Sequence, residues 1–286
     1  VANIWSVTKP LEGQRPSVEA TPVTRGAQSV EGLALSPDGR WLAFDSDRNG
    51  NHHIFTVPVS GGEAKQLTSG TADEFMPHWS PDAKEIAFHA FTPDLARRLE
   101  VVPASGGAAT PVTKAPRNQR RPAWSPDGRT LVFDAGGTTL SDLFLVERTA
   151  AGGWGEGRRL TSGSAPRWAP DGRRILYIRP DGIWVTTRDG GAGRQVLAAD
   201  PSVQPSLGNA EWSGDGATIF FKRYDGEGRT SFWSVPAAGG APRLLVQLDR
   251  ELRSNRPEFA TDGSRFYFTV TERVSDVWTL DLRLVR

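Results

Sequence analysis

Apolar and polar residues alternate in short runs along this chain, as in "WLAFDS" from Trp41 and "EIAFHA" from Glu85, and no helical periodicity interrupts them. Turn signals bound the runs, and the same turn keeps returning. "ALSPDGRWLAFDSDRNG" occupies 34–50, "HWSPDAKEIAFHA" begins at His78, "AWSPDGRTLVFDA" at Ala123 and "RWAPDGRRILYIR" at Arg167. "EWSGDGATIFFKR" begins at Glu211 and "EFATDGSRFYFTV" at Glu258. The residue before the turn (Leu35, Trp79, Trp124, Trp168, Trp212, Phe259) recurs at intervals of 44, 45, 44, 44 and 47 residues. A period of that size predicts a solenoid or a closed ring of repeated units.

One repeat, 73–114, reads as four strands. The first ends at Trp79, Pro81 and Asp82 make a turn, and a second strand runs from Glu85 to His89. A variable loop leads to a third strand near Leu99–Val102, and "SGG" turns the chain into a short fourth strand ending at Thr113. Four hairpin-connected strands per repeat are the signature of a propeller blade. Proline lies two places before the aromatic at Pro77, Pro122, Pro166 and Pro257, as expected of an innermost edge strand that faces a channel. The third strands share an aromatic (Phe55, Phe144, Trp184, Trp233, Trp278), Val101 being the exception, so most of the ten tryptophans are read as packing between blades.

The prediction is an all-β, single-domain β-propeller over 1–286 with six four-stranded blades, a fragment of a seven-bladed propeller being the alternative. The ends carry that ambiguity. "NIWSV" around Trp5 matches a third strand and "EATPVT" (19–24) a fourth, so 1–24 is expected to supply the closing strand of the last blade. The chain also ends on a third-strand pattern, "SDVWTLDL" (275–282), which leaves the segment around Trp5 over.

Composition changes this picture little. Hydrophobic residues at 37% and charged ones at 23% suit a packed domain. The net charge of +1 supplies no basic field for nucleic acid, and no apolar run approaches a membrane span. Without cysteine there are no disulfides or thiolate metal sites. The chain starts at Val1 without a signal-peptide pattern, which reads as a mature product or an excised fragment.

The W-S-P-D-G turn, the "SDRNGN" loop, the I-F-x-V strand and the "GG…LT" stretch resemble the WD-like repeats of the TolB C-terminal propeller. Similar repeats occur in propellers of prolyl-oligopeptidase-type and tricorn-type peptidases and in bacterial sensor domains. The resemblance covers nearly the whole chain and implies the fold strongly and the function weakly. No G-x-S-x-G nucleophile elbow is present, so it implies a binding module more than an enzyme. On this resemblance the expectation is a monomeric domain of a larger bacterial envelope or signalling protein, periplasmic or otherwise extracytoplasmic, with a protein or peptide partner.

In a propeller the "SPDG" and "SGG" turns share one face, while the second-to-third loops and inter-blade connections share the other. The second set varies from blade to blade, and variable polar loops on a rigid scaffold are where recognition is expected. Arg120 and Arg121, with Arg117 in the same linker and Arg97 and Arg98 in the loop before it, make a candidate reader of carboxylate or phosphate. Asp73, Glu74 and Arg256 lie in comparable connections. His78, Arg167, Glu211 and Glu258 precede the inner-strand aromatics. They fit either ion pairing between blades, for instance Arg167 with Glu211, or a polar channel that holds a small ligand.

No cofactor is expected on the leading reading; calcium or manganese is the alternative. Asp45, Asp47 and Asn49 match the start of a calcium loop, although position 12 is Thr56 rather than a bidentate Glu. His52, His53, His78 and His89 all fall in the first two repeats, and some propeller lyases that act on uronate sugars resemble this in using histidines with manganese. That makes a metal-assisted lyase or hydrolase at the channel mouth the competing function.

Overall fold

The computed structural model describes residues 1–11, 19–94, 96–113, 116–137, 141–203, 207–227, 229–249, 252, 254 and 256–271. Its strands form six four-stranded antiparallel sheets, the six-bladed propeller that the repeat predicts. Two N-terminal strands, β1 (Ala2–Thr8) and β2 (Thr21–Pro22), come first. Blade 1 holds β3 (Leu33–Leu35), β4 (Trp41–Ser46), β5 (His53–Pro58) and β6 (Lys65–Gln66). Blade 2 holds β7 (Glu74–Trp79), β8 (Glu85–Phe91), β9 (Arg97–Pro103) and β10 (Thr110–Pro111). Blade 3 is β11 (Gln119–Trp124), β12 (Thr130–Gly136), β13 (Ser141–Glu147) and β14 (Arg158–Ser162). Blade 4 is β15 (Ser164–Trp168), β16 (Arg174–Arg179), β17 (Gly182–Thr187) and β18 (Arg194–Ala198). Blade 5 is β19 (Leu207–Trp212), β20 (Thr218–Tyr224), β21 (Thr230–Pro236) and β22 (Arg243–Gln247). Blade 6 takes β23 (Phe259–Thr261) and β24 (Arg265–Thr271) from the end of the chain and β1 and β2 from its start.

The segment around Trp5 is therefore not left over. β1 occupies the third place of blade 6 and pairs with β24 from Ala2↔Thr271 to Thr8↔Arg265 without a bulge. Alternation explains the fit: Ile4 packs towards blade 1, against Val30, Leu42 and Phe44, while Trp5 and Val7 pack towards blade 5, against Phe232 and Val246. The third-strand pattern around Trp278 lies outside the described residues.

Six apolar clusters fill the six seams between consecutive blades, blade 6 against blade 1 included. Trp79, Trp124 and Trp168 are buried in the seams that join blades 1 and 2, 2 and 3, and 3 and 4. Each blade presents two apolar faces, so neither neighbour can be removed without exposing a core.

The recurring turn is a small hydrogen-bonded device. In blade 1 the Ser36 hydroxyl donates to Asp38 Oδ1 at 2.6 Å and accepts from Trp41 N–H at 2.9 Å. Asp38 Oδ1 also accepts from Arg40 N–H, and these donors hold its carboxyl down at about 2. Ser80–Asp82, Ser125–Asp127 and Ser213–Asp215 repeat the hydroxyl–carboxylate bond. The residue after the aspartate turns left-handed, at φ 71° for Gly39 and φ 58° for Ala83, the one repeat among these with a side chain there.

Candidate functional site

The innermost strands carry the geometry that shapes the channel mouth. β7, β11 and β15 each bulge where a left-handed residue precedes proline: Met76 (φ 57°), Arg121 (φ 48°) and Ala165 (φ 49°). The bulge turns a backbone N–H out of the ladder. Met76 N–H then donates to Asp45 Oδ2 at 3.0 Å, and Ala165 N–H to Asp134 Oδ1 at 3.3 Å, in each case on the preceding blade.

Asp45 and Asp134 occupy one repeat position, the residue after the second-strand aromatic. The series is Asp45, His89, Asp134, Ile178, Lys222 and Thr269. All but Ile178 are buried, so the ring is polar inside an otherwise apolar wall. Asp45 also accepts from Glu31 N–H at 2.7 Å and Gly32 N–H at 2.9 Å; burial pushes its carboxyl up to about 7, against the pull of those amides. Lys222 donates to Ser254 Oγ and to Arg256 O, both at 2.5 Å, and burial pushes its ammonium down to about 7.

Asp134 gathers two arginines. Arg120 Nε lies 3.2 Å from its Oδ2, and Arg121 Nη1 bonds both oxygens at 3.3 and 3.2 Å. Arg120 also donates to Gly137 O at 2.9 Å and Ser141 Oγ at 2.6 Å, which locks it in one pose. The two guanidinium groups form a wall of a cavity of about 400 Å³ between blades 3 and 4, on the variable-loop face. Ser141, Ser162, Ser164, Arg179 and Asp181 complete its polar lining. The two guanidinium groups present fixed donors at this wall, Arg120 held by Asp134 and Arg121 by Asp134 with Glu258 nearby.

Further in, the channel closes. Leu33, Met76, Arg121, Arg167, Asn209 and Glu258 surround only about 10 Å³, space for about one water. Arg167 Nε bonds Glu211 Oε1 at 2.7 Å, an ion pair between blades 4 and 5. Burial raises the Glu211 carboxyl, and Arg167 opposes that shift. Glu258 is also raised by burial; its Oε1 lies 3.9 Å from Arg121 Nε and its Oε2 has no partner. Arg256 pairs with Glu31 at 2.9 Å across the seam from blade 6 to blade 1.

The four histidines separate. Nδ1 of His53 and Oε2 of Glu74 are 3.1 Å apart, both groups buried, and the Thr68 hydroxyl donates to the same oxygen. His52 N–H donates to Asp73 Oδ1 at 2.9 Å, and its ring lies 4.5 Å from that of Phe75. His78 is four residues further along β7 than Glu74, about 13 Å of strand, towards the opposite face. Burial, then Arg167, push its imidazole down to about 3. Asp45, Asp47 and Asn49 do not converge: Asp47 accepts from Ser29 N–H and Asn49 donates to Gln66. Among the described residues no three His, Cys, Asp or Glu side chains come together as a metal-holding group.

Residues 19–152 match the family model described as the TolB beta propeller domain. That stretch is similar to the TolB beta propeller domain, and the whole chain has the fold of a six-bladed β-propeller. An uncharacterized protein of Agrobacterium fabrum is 29% identical over 163 residues, 56% of this chain and 43% of that relative. The chain thus spans less than half the length of the curated relatives it matches. A putative TolB from Agrobacterium tumefaciens has the same fold at a TM-score of 0.73 and 18% identity, covering 96% of this chain and 99% of that one. An oligogalacturonate lyase in complex with manganese superposes at a TM-score of 0.57 and 17% identity, over 87% of this chain and 76% of the lyase.

Proposed function

We propose that this propeller is a recognition module that binds a protein or peptide partner on its variable-loop face, as one domain of a larger extracytoplasmic bacterial protein. The observation that carries this reading is the cavity between blades 3 and 4, walled by Arg120 and Arg121. Both arginines are fixed by Asp134, so they meet a partner without a large ordering cost. The TolB family match supports the same reading, as does the near-closure of the channel, which confines ligands to the mouth.

A metal-assisted lyase or hydrolase is the competing reading. It has His52, His53 and Glu74 at the mouth in its favour, and the position of His78 at the far end of β7 against it.

Photo-crosslinking in the native host separates the two faces. A crosslinking residue at Ser162 is expected to capture a specific protein, and one at Asp127 in the opposite turn none. Capture at Asp127 alone would overturn the proposal.

A further inference from the structure

The connections that lead from the outer strand of one blade to the inner strand of the next differ in length. They take up residues 23–32, 67–73, 112–118, 199–206 and 248–258 at five seams, and Gly163 alone between blades 3 and 4. "LTSGTADEFMPHW" (67–79) and "LTSGSAPRW" (160–168) begin and end alike, and the second is four residues shorter. The shared "LTSG" matches Gly70 to Gly163, and the left-handed residue before proline matches Met76 to Ala165. The stretch without a counterpart is therefore Thr71–Glu74.

At the seam between blades 1 and 2 that stretch lies across the mouth. Thr71 O accepts from Asn51 Nδ2 at 2.6 Å, Asp73 Oδ1 from His52 N–H at 2.9 Å, and Asp73 O from Phe91 N–H at 2.9 Å. Glu74 N–H donates to His52 O at 2.9 Å. The stretch thus joins the start of the third strand of one blade to the end of the second strand of the next. Counted from Ile54 and Leu143, and from His89 and Ile178, the places of His52 and Phe91 fall to Ser141 and Pro180 at the seam between blades 3 and 4. Both line the cavity of about 400 Å³, so this cavity is the space that the missing stretch leaves.

The donors in the cavity differ from those around Thr71–Glu74. Proline has no N–H, so nothing at Pro180 replaces the bond that Phe91 makes. Guanidinium groups stand there instead. Arg120 is fixed by Asp134, Gly137 O and Ser141 Oγ. Arg179 rests over the Trp184 ring at 4.7 Å with its Nε 4.0 Å from Asp181 Oδ1, and it makes no hydrogen bond among the described residues. Of the lining residues Asp181 alone is acidic, and it already accepts from Trp184 Nε1 at 2.9 Å. A guanidinium with its donors unused is a fork for an incoming carboxylate.

We propose that an extended acidic segment of the partner protein fills this cavity, on the course that Thr71–Glu74 take at the seam between blades 1 and 2, with a carboxylate against Arg179. This assignment rests on the variable-loop face being the recognition surface and names the segment it recognises. The gap itself chooses a stretch of chain over a small anion, because the same place one seam away holds four residues of backbone.

The probe is the capped heptapeptide Ser-Gly-Thr-Ala-Asp-Glu-Phe, a copy of 69–75, titrated into the whole chain and followed by amide NMR. Saturable shifts are expected at Gly163, Ser164 and Asp181, with at least tenfold weaker binding when Asn and Gln replace the two acids of the peptide. Arg179→Gln should weaken binding of the acidic peptide at least tenfold while its thermal unfolding stays that of the parent; Arg40→Gln, in the opposite turn, should leave it unchanged. Insertion of Thr-Ala-Asp-Glu after Gly163 should fill the cavity from within the chain, and the insertion protein should neither bind the peptide nor capture a partner at Ser162. Where the insertion disturbs folding, Arg179→Gln decides alone. No saturable shifts, or binding indifferent to Arg179→Gln, would overturn the proposal. A partner captured at Ser162 without peptide binding refutes only the acidic-segment assignment, whereas peptide binding without any captured partner refutes only the macromolecular reading.

Discussion

The backbone N–H of Met76 donates to Asp45 Oδ2 at 3.0 Å, so the innermost strand of blade 2 is tied to the second strand of blade 1. The same carboxylate accepts from Glu31 and Gly32, and it is fully buried. Asp45→Ala would leave one buried N–H group (Gly32) and two part-buried ones (Glu31, Met76) without their acceptor, at about 1–3 kcal/mol each where water cannot replace it. The expected loss is about 2–5 kcal/mol, a fall in melting temperature of about 5 °C or more. Asp45→Asn keeps one acceptor oxygen and should fall between the two proteins. Urea unfolding checks the order; an Asp45→Ala protein as stable as its parent would show that the tie contributes nothing.

Ala83 stands at φ 58° in the turn place that glycine holds at Gly39, Gly128, Gly172, Gly216 and Gly263. A Cβ in the left-handed region costs about 1–2 kcal/mol, of which glycine's extra freedom in the unfolded chain returns about half. Ala83→Gly is therefore expected to stabilise the protein by about 0.5–1 kcal/mol. A lower urea midpoint for the variant would contradict this account of the turn.

The fold was legible because the turn chemistry repeats with its aromatic: Trp79, Trp124 and Trp168 are buried in seams, and the preceding prolines mark the bulged inner strands. The strand that fills the third place of blade 6 was not legible. The patterns around Trp5 and Trp278 are alike, and periodicity within one strand does not say which of two similar segments pairs with β24. At the mouth, Arg120 and Arg121 could be singled out by charge, and their common partner Asp134 could not. The signal that would have found it is a charged or imidazole residue directly after the second-strand aromatic, repeated as Phe44-Asp45, Phe88-His89, Phe133-Asp134 and Phe221-Lys222. Pattern reading passes over it because alternation assigns such a residue to the face opposite the aromatic without saying that this face is also buried.

Calcium and manganese are expected to leave thermal unfolding unchanged. Both oxygens of Asp45 are held by backbone amides, Asp47 is bonded to Ser29 N–H, and His53 is committed to Glu74. A cation would have to displace these bonds before gaining its own ligands. Melting curves with millimolar metal and with a chelator are the check; a shift of more than about 2 °C that the chelator reverses would revive the metal-assisted reading.

Lys222 should give the protein an alkaline stability gradient. Its ammonium is buried, and desolvation pushes it down to about 7, with the charge of Glu258 opposing that shift. In the unfolded chain a lysine titrates near about 10.4. Between these values the unfolded state binds a proton that the folded state lacks, so stability rises with pH. Below about 7 both states carry the proton, and this group's penalty is constant. The gain across the whole window is at most about 5 kcal/mol. Tyr224, whose hydroxyl bonds Arg256 O and is raised above its usual range, acts in the opposite direction once the unfolded tyrosines ionise near about 10. The measurement therefore belongs between pH 7 and about 9.5. Urea unfolding across that range should show a rising free energy for the parent and a flatter one for Lys222→Met. Equal slopes in the two proteins would mean that Lys222 keeps its proton in the fold, carried as an ion by Ser254 and the Arg256 carbonyl.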